Sequence, residues 1–270
     1  MKLHIEFLGL PGSGKSSLHR EAVRMLRQRG QPAYGLPEAV GACLGRHPSD
    51  KLLKGLTGRV VHMLSREAGM RVFSRSKDKF LALSEFLAQN LALGEILFAS
   101  QRVRSIPKDQ ERLVVKWMLD LFAAFQFVDD RLTQEEVLVL DEGFCNRVNT
   151  LFAYGPADGP DVSPQEIGAY VDRIPRPDLV LRIDTSSEAS EARLERRGWT
   201  ERLDQLSPPE RRAVLERSRQ CIDLATSRLR EAGVSVVPID NNQALPTAVA
   251  AMEEVLSRAL GVSTKPTGQE

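Results

Sequence analysis

The sequence predicts an α/β fold, an open parallel sheet covered by helices on both faces. Short apolar segments alternate with amphipathic segments over most of the chain, which is the pattern of strands joined by crossover helices. The alternation is interrupted between about residues 49 and 134, where the spacing of apolar residues favours helices only. The 270 residues therefore suggest one domain over residues 1–260 that carries a helical insertion, followed by a disordered tail at 261–270.

The first predicted strand leads into a glycine-rich segment that predicts phosphate binding. An apolar run from Ile5 to Leu8 precedes Gly-x-x-x-x-Gly-Lys-Ser, and an amphipathic run from Leu18 to Leu26 follows it. This strand–loop–helix context is the one that a phosphate-binding loop requires. The glycines allow successive N–H groups to point into one concavity, and the positive end of the helix adds to it. We therefore expect a P-loop NTPase fold that binds a nucleoside triphosphate.

Two side chains of this loop have separate expected roles. Lys15 can reach the β- and γ-phosphates, and the hydroxyl of Ser16 can hold Mg²⁺. The expected nucleotide contacts in the loop are Gly9, Pro11, Gly12, Ser13, Gly14, Lys15, Ser16 and Ser17. The predicted cofactors are accordingly ATP and Mg²⁺.

Composition argues against several classes of partner. The formal net charge of +1 gives no sign of a nucleic-acid or membrane partner. The longest oily stretch, from Phe80 to Phe98, carries Glu85 and Glu95 and is not a membrane span. Three widely spaced cysteines form neither a metal cluster nor a disulfide framework, and no signal peptide is visible. We therefore expect a soluble, cytoplasmic protein.

A second short strand is predicted at residues 33–36, and Pro37-Glu38 follows it. Ligands of α/β sheets bind at this end of a strand, so Glu38 is a candidate site residue, with an exposed turn residue as the alternative. In the helical stretch that follows, residues 51–79 carry eight basic and two acidic residues. This basic segment is either a set of solvated helix faces or a surface that receives an anionic substrate.

The end of the third predicted strand is acidic. A continuous apolar run ends in Asp141-Glu142, as expected for a buried parallel strand that delivers a carboxylate to a Mg²⁺ site. We expect Asp141 to be a metal ligand together with Ser16, because a carboxylate buried there needs a compensating partner. A helix is predicted to begin just after, at residues 143–147. Arg147 could contact phosphate or pair with Asp141 for structure alone.

The rest of the chain continues the alternation of strand and helix. Residues 163–166 and 207–210 have the Ser-Pro-x-Glu pattern of a helix start. Further strands are predicted at 179–184 and 234–239, and a final helix near 245–260.

Taken in this order, the motifs resemble the thymidylate kinase and deoxynucleoside kinase branch of the P-loop kinases. The residues that carry the resemblance are the phosphate loop near the start, Asp141-Glu142, the Arg-x-x-x-Arg-Gly of Arg193, Arg197 and Gly198, and the closing Val237-Pro238-Ile239-Asp240. The similarity covers residues 1–40 and 135–260 and leaves the insertion almost unmatched. It implies a five-stranded parallel sheet, a helical acceptor site and a mobile arginine-bearing lid at about residues 193–206.

The resemblance also implies roles for individual residues. Arg193 and Arg197 would lie in the lid over the phosphates, with Arg202 at its far edge, although the lid arginines could instead pair with glutamates at helical spacing. The pair Asp240-Asn241 would lie at the adenine loop. Glu38 would stand near the carboxylate that takes the proton from the acceptor hydroxyl, and Glu142 is the other candidate base.

The acceptor half departs from the family pattern, because Asp141-Glu142-Gly143-Phe144 stands in place of Asp-Arg-aromatic or Glu-Arg-Ser. We therefore expect an ATP-dependent phosphotransferase whose small-molecule acceptor is a nucleoside, a nucleotide, a sugar or a similar hydroxyl compound, with a homodimer as a further option. The alternative is an ATP-hydrolysing switch acting on a protein partner, since motor and transporter ATPases also carry Asp-Glu at a strand end. No Leu-Ser-Gly-Gly or Asn-Lys-x-Asp motif supports it, and the arginine cluster favours the kinase.

Overall fold

A five-stranded, all-parallel sheet forms the centre of the computed structural model, which describes residues 2–46, 66–99, 106–154 and 161–261. The strands are β1 (Leu3–Gly9), β2 (Ala33–Gly35), β3 (Val137–Leu140), β4 (Leu179–Asp184) and β5 (Ser235–Asp240). Their order across the sheet is β2-β3-β1-β4-β5, and every neighbouring pair is parallel. The predicted fold class and strand number are confirmed.

The register of the central strands places the glycine-rich loop beside the acidic strand end. Glu6 of β1 is paired with Leu140, the last residue of β3, and Gly9 is paired with Ile183 of β4. The loop after Gly9 therefore leaves the sheet next to the chain that continues from β3 into Asp141. This is the carboxyl edge of the sheet, where ligands of open α/β folds bind.

Helices pack on both faces of the sheet. They are α1 (Lys15–Gln28), α2 (Leu36–Arg46), α3 (Arg66–Ser74), α4 (Lys77–Gln89), α5 (Leu91–Ala99), α6 (Lys108–Asp129), α7 (Pro164–Val171), α8 (Ser187–Arg197), α9 (Glu201–Asp204), α10 (Pro208–Glu231) and α11 (Leu245–Ala259). Helices α3 to α6 fall in the stretch predicted as an insertion. Residues 51–65 of the basic segment, the loop at 155–160 and the tail from 262 lie outside the described residues.

The two faces of the sheet have separate cores. Ile5 and Phe7 of β1 pack with α1 and α11 on one face. Leu8 belongs to the larger core on the other face, which includes the insertion helices. In that core the rings of Phe86 on α4 and Phe122 on α6 stack at 4.5 Å between centroids. Phe144, just after β3, stacks on Phe86 at 5.8 Å, so the insertion is packed directly against the acidic strand end.

The segment after β3 becomes helical at the end of the predicted window, and in an irregular form. A tight turn follows Leu140, helical residues begin at Arg147, and they continue as a π-helical turn at Asn149–Ala153. The physical reason lies in its hydrogen bonds, because Cys145 N–H donates to the Glu6 carboxylate and Asn149 Nδ2 donates to the Gly9 carbonyl. The predicted starts of α7 and α10 are correct, with Ser163 and Ser207 as N-caps.

Within the described part of the chain, no single helix is long and apolar enough to cross a membrane. Helices α4 and α5 reach that length and composition only as a pair, and the pair is bent by 94°.

Candidate active site

The backbone of the glycine-rich loop can be formed only with glycine at two positions. Gly12 has φ 81° and Gly14 has φ 91°, a region that other residues rarely adopt. A Cβ at Gly12 would lie 2.7 Å from the Ser190 carbonyl oxygen, and one at Gly14 would lie 2.5 Å from Asn241 Nδ2. The loop is therefore closely packed against α8 and against the residue that follows β5.

Lys15 is buried beneath this loop. Its ammonium group donates to the carbonyl oxygens of Gly9 and Leu10, both at 2.9 Å. Burial lowers the pKa of Lys15, and the negative charges of Glu142 and Asp141 oppose that shift. The loop carbonyls thus hold a cation in place at the floor of the site, beside two carboxylates.

The outer side of the loop is held through the carbonyl oxygen of Ser13. Asn241 Nδ2 donates to this oxygen at 2.6 Å, Arg193 Nη1 at 3.3 Å and Thr185 Oγ1 at 3.3 Å. Arg193 Nη2 also donates to the Asn241 carbonyl at 2.7 Å. Arg193 and Asn241 are therefore bound to the back of the glycine-rich loop, and Asp240 accepts from Asn242 at 3.0 Å in the adjoining turn.

In front of the loop lies a cavity of about 390 Å³, which we call the donor cavity. Its lining residues are Pro11, Gly12, Gly14, Lys15, Ser16, Ser17, Trp117, Glu142, Asn146, Arg147, Asn149, Thr150, Tyr154, Arg197, Thr200, Glu201 and Arg202. The cationic side chains among them are those of Lys15, Arg147, Arg197 and Arg202. Such a cluster opposite a ring of backbone N–H groups suits a polyphosphate.

Arg202 is the least expected member of this cluster. Sequence analysis placed it no closer than the far edge of the lid, yet its side chain is almost completely buried and its guanidinium lies 3.8 Å from the centre of the Tyr154 ring. Nη1 donates to Thr150 O at 3.5 Å, whereas Nε and Nη2 have no hydrogen-bond partner among the described residues. Burial lowers the pKa of Arg202. Two buried guanidinium donors are therefore left for a further hydrogen-bond acceptor.

The acidic turn after β3 supplies the wall opposite the lid arginines. Asp141 Oδ1 is buried and has no hydrogen-bond partner among the described residues. Glu142 Oε2 lies 3.4 Å from Arg147 Nη1, so the ion pair in the structure joins Arg147 to Glu142 and not to Asp141. The turn therefore leaves one buried carboxylate oxygen free for a further ligand.

A second cavity of about 310 Å³ lies between β3, α2 and the insertion, and we call it the acceptor cavity. Its lining residues are His19, Leu36, Pro37, Met70, Trp117, Asp120, Leu121, Ala124, Leu140, Asp141, Glu142 and Arg147. Trp117, Glu142 and Arg147 line both cavities. The two cavities are therefore adjacent, and they meet at the acidic turn.

The insertion contributes one charged group to the acceptor cavity. Asp120 of α6 accepts from Lys79 Nζ at 2.5 Å and from Lys116 Nζ at 2.6 Å. Burial raises the pKa of Asp120, but the two lysines outweigh burial and hold that pKa below its ordinary value. The carboxylate is thus kept ionised at the wall opposite the acidic turn.

Not every residue predicted for the site reaches a cavity. Glu38 lies in the first turn of α2, where Oε2 accepts from Arg27 Nη2 at 2.7 Å, and it lines neither cavity. Arg193, Asp240 and Asn241 lie behind the loop. Sequence analysis missed Trp117, Asn146, Asn149 and Tyr154, which are brought to the donor cavity by contacts between distant segments.

Comparison with known proteins bears on the fold. No family model matches the sequence, and no curated protein matches it. Among solved structures, thymidylate kinase from Candida albicans is 14% identical, with a TM-score of 0.53 over 96% of this chain and 92% of that chain. Deoxyadenosine kinase from M. mycoides, solved with dCMP and dCDP, is 11% identical with a TM-score of 0.47 over 95% and 100%. The chain shares its fold with the thymidylate kinase from Candida albicans.

Proposed function

We propose that the protein is an ATP-dependent phosphotransferase that moves the γ-phosphoryl group to a small-molecule acceptor. The acceptor class comprises nucleosides, nucleotides, sugars and similar hydroxyl compounds. A single observation carries the proposal: the donor cavity and the acceptor cavity share Trp117, Glu142 and Arg147. A phosphate-binding cavity that opens into a second, largely apolar cavity suits the direct transfer of a group between two bound molecules.

Phosphoryl transfer requires alignment of the reactants and neutralisation of spreading negative charge, with little covalent work for the protein. Lys15 and the loop N–H groups would bind the phosphates from the side of the sheet. Arg197 and Arg202 would approach them from the lid, and Arg147 from the acidic turn. Guanidinium groups suit this role because their forked donors match phosphate oxygens.

The residues at the acidic turn fit a magnesium ion. Asp141 has a buried oxygen without a hydrogen-bond partner in the described part of the chain, and Ser16 is exposed to the donor cavity. No group of three or more His, Cys, Asp or Glu residues suited to a metal occurs among the described residues. Ser16 and Asp141 would hold Mg²⁺, which would neutralise charge on the transferred group.

Glu142 is the base that this geometry favours. It lines both cavities, so in the proposed reaction its carboxylate would lie between the acceptor hydroxyl and the phosphate. Arg147 Nη1 lies 3.4 Å from Glu142 Oε2 and would hold the carboxylate in place at this boundary. Glu38 has no such position, because it lines neither cavity and bonds to Arg27.

The proposal is tested by ³¹P NMR of the protein with Mg-ATP and four separate acceptor pools: nucleosides, nucleoside monophosphates, sugars and aminoglycosides. The matched variants are Lys15→Ala, which removes the buried cation, and Arg24→Ala, which removes an exposed cation from the same helix. We expect a new phosphoester signal in one pool. Its rate of formation should fall roughly 10²- to 10³-fold in Lys15→Ala, as when other preorganised charge-stabilising groups are removed, and should not change in Arg24→Ala.

Two results would contradict the proposal. Release of free phosphate alone, at the same rate with every pool, would indicate an ATPase that acts on a protein partner. Near-normal transfer by Lys15→Ala would show that the phosphate loop does not carry the reaction.

A further inference from the structure

A carboxylate lies completely buried in the central strand, beneath the acidic turn. Glu6 is in the middle of β1, and none of its surface is exposed. Because side chains alternate along a strand, it lies on the face of Leu8 and not on the face of Ile5 and Phe7. A buried charge is costly unless it is hydrogen-bonded, so its contacts indicate why it is there.

The Glu6 carboxylate bonds to the backbone of the acidic turn. Oε2 accepts from Cys145 N at 2.6 Å, the short distance of a charge-assisted hydrogen bond. Oε1 lies 3.1 Å from His4 Nε2, on the neighbouring residue of the same strand face. One oxygen therefore holds the turn, and the other is directed toward β1 itself.

A second contact fixes the turn at Gly143. A Cβ at this position would lie 2.6 Å from both Cδ and Oε2 of Glu6 and 2.8 Å from Leu140 Cβ. The backbone of residue 143 thus rests directly on the carboxylate, and only glycine fits there without a shift. This contact accounts for the glycine that follows Asp141-Glu142 in the sequence.

The two contacts lie between the residues that face the cavities. Asp141 and Glu142 come immediately before Gly143, and Arg147 comes two residues after Cys145. On the other side of the turn, Asn146 Oδ1 accepts from Gly9 N at 3.4 Å. The turn is therefore held between Glu6 below it and the start of the phosphate loop beside it.

We propose that Glu6 is a positioning residue for phosphoryl transfer, which fixes the turn at Gly143 and Cys145 so that Asp141, Glu142 and Arg147 face the reactants. The inference rests on the proposed function. Transfer depends on the alignment of the bound groups, and a misplacement of about 1 Å can cost about 100-fold in rate. Glu6 touches no reactant, so its effect passes through the turn.

The test compares Glu6→Gln with Glu6→Met. Glutamine keeps an oxygen that can accept from Cys145 N–H, whereas methionine has a similar length and no such acceptor. Glu6→Met leaves the buried Cys145 N–H without its acceptor and should lower stability, so thermal unfolding must show that the variant is folded at the assay temperature. Gly143→Ala displaces the same turn from the other side.

We expect Glu6→Met and Gly143→Ala to lower kcat roughly 10- to 100-fold while ATP affinity without Mg²⁺ changes less than about threefold. Glu6→Gln should keep kcat within about threefold of the wild type. In Glu6→Met the amide hydrogens of residues 143–147 should exchange faster, and in Glu6→Gln they should not. Normal kcat in Glu6→Met, equal losses in the Gln and Met variants, or a parallel loss of ATP affinity would overturn the proposal.

Amide hydrogen exchange tests the positioning role of Glu6 independently of the proposed phosphotransferase function. If the wild-type protein transfers no phosphoryl group, the proposed function fails by itself. Unchanged exchange at residues 143–147 in Glu6→Met would then overturn the positioning proposal on its own evidence.

Discussion

The donor and acceptor halves of the site are built in different ways. The donor half uses consecutive residues of one loop, whose backbone and Lys15 are fixed by hydrogen bonds to nearby carbonyl oxygens. The acceptor half draws its wall from β3, α1, α2, α3 and α6, and most of that wall is apolar. The loop that forms the floor of the donor cavity is therefore local in sequence, whereas the wall of the acceptor cavity depends on how distant helices pack.

Because of this difference, the two halves of the site tolerate different substitutions. Substitutions in the phosphate loop disturb a conformation that needs glycine at two positions, so the loop tolerates little variation. The apolar wall can be reshaped by exchanges of side-chain volume that leave the fold intact. The acidic turn belongs to both halves, and the largest expected effects fall there.

Glu142→Gln is expected to give the largest effect, because it removes a carboxylate from the boundary between the halves. A well-placed general base contributes about 10²- to 10⁴-fold, so kcat should fall at least about 100-fold. The matched control is Glu38→Gln, which removes the other candidate base and should change kcat less than about twofold. Steady-state kinetics of both variants decides the assignment. A large loss in Glu38→Gln with little change in Glu142→Gln would move the base to α2.

Variants of the two lid arginines should distinguish a contact made in the transition state from a contact that supports the glycine-rich loop. Arg197 lines the donor cavity, whereas Arg193 bonds to Ser13 and Asn241 behind it. We expect Arg197→Ala to lower kcat about 100-fold, with a smaller change in ATP affinity, because its contact forms mainly in the transition state. Arg193→Ala should instead weaken ATP binding roughly tenfold, since it frees the loop.

Steady-state kinetics with varied ATP gives kcat for each variant, and calorimetry gives its affinity for ATP. If Arg197→Ala weakened ATP binding and left kcat unchanged, Arg197 would be a ground-state contact and the division of roles would be wrong.

The donor half could be predicted from the sequence because its determinants are consecutive. The spacing of the glycines and Lys15 specifies a backbone conformation, and the strand and helix on either side are visible as apolar patterns. The acidic end of β3 could be predicted for a similar reason, since a buried strand that ends in two carboxylates is unusual. The five strands lie close to their predicted bounds.

The rest of the site could not be predicted because it depends on tertiary contacts. Trp117 falls in a helical pattern typical of a core, and only the packing of α6 shows that it faces both cavities. In the sequence Arg202 cannot be distinguished from the other arginines of its segment, and only the structure shows that it packs on the Tyr154 ring. Glu38 follows a strand as expected, but the first turn of α2 directs it to Arg27. Glu6 looks like an ordinary polar residue of a strand.

Trp117→Ala tests whether the side chain that lines both cavities affects the binding of one reactant more than that of the other. Loss of the ring removes apolar contact area from the acceptor cavity, and we expect the KM for the acceptor to rise roughly tenfold, which is about 1.4 kcal/mol. The KM for ATP should change less than about threefold, because the loop holds the phosphates. Trp199→Ala is the matched control, since that ring stacks with Arg211 and lines neither cavity. An equal rise in both KM values would show that the ring serves both reactants.

The smallest expected effect is the change in kcat/KM for ATP as Lys15 loses its proton. It tests the donor half in the unmodified protein, with no side chain removed. Burial lowers the pKa of this lysine below its ordinary value of 10.5 in the free protein. Since kcat/KM for ATP reports the free enzyme, it should decline on the alkaline side with an apparent pKa below 10.5, as the ammonium loses its proton and its charge.

The variant Lys15→Arg distinguishes loss of the Lys15 proton from any other cause of lower activity at high pH. A guanidinium stays charged far above pH 10, so the variant should be slower but should lose the alkaline decline. A decline that persists in Lys15→Arg would assign the titration to another group. A wild-type decline centred at or above pH 10.5 would mean that the hydrogen bonds to Gly9 and Leu10, with the charges of Asp141 and Glu142, outweigh burial. In that second case the charges of the acidic turn, and not burial, would govern the protonation of Lys15.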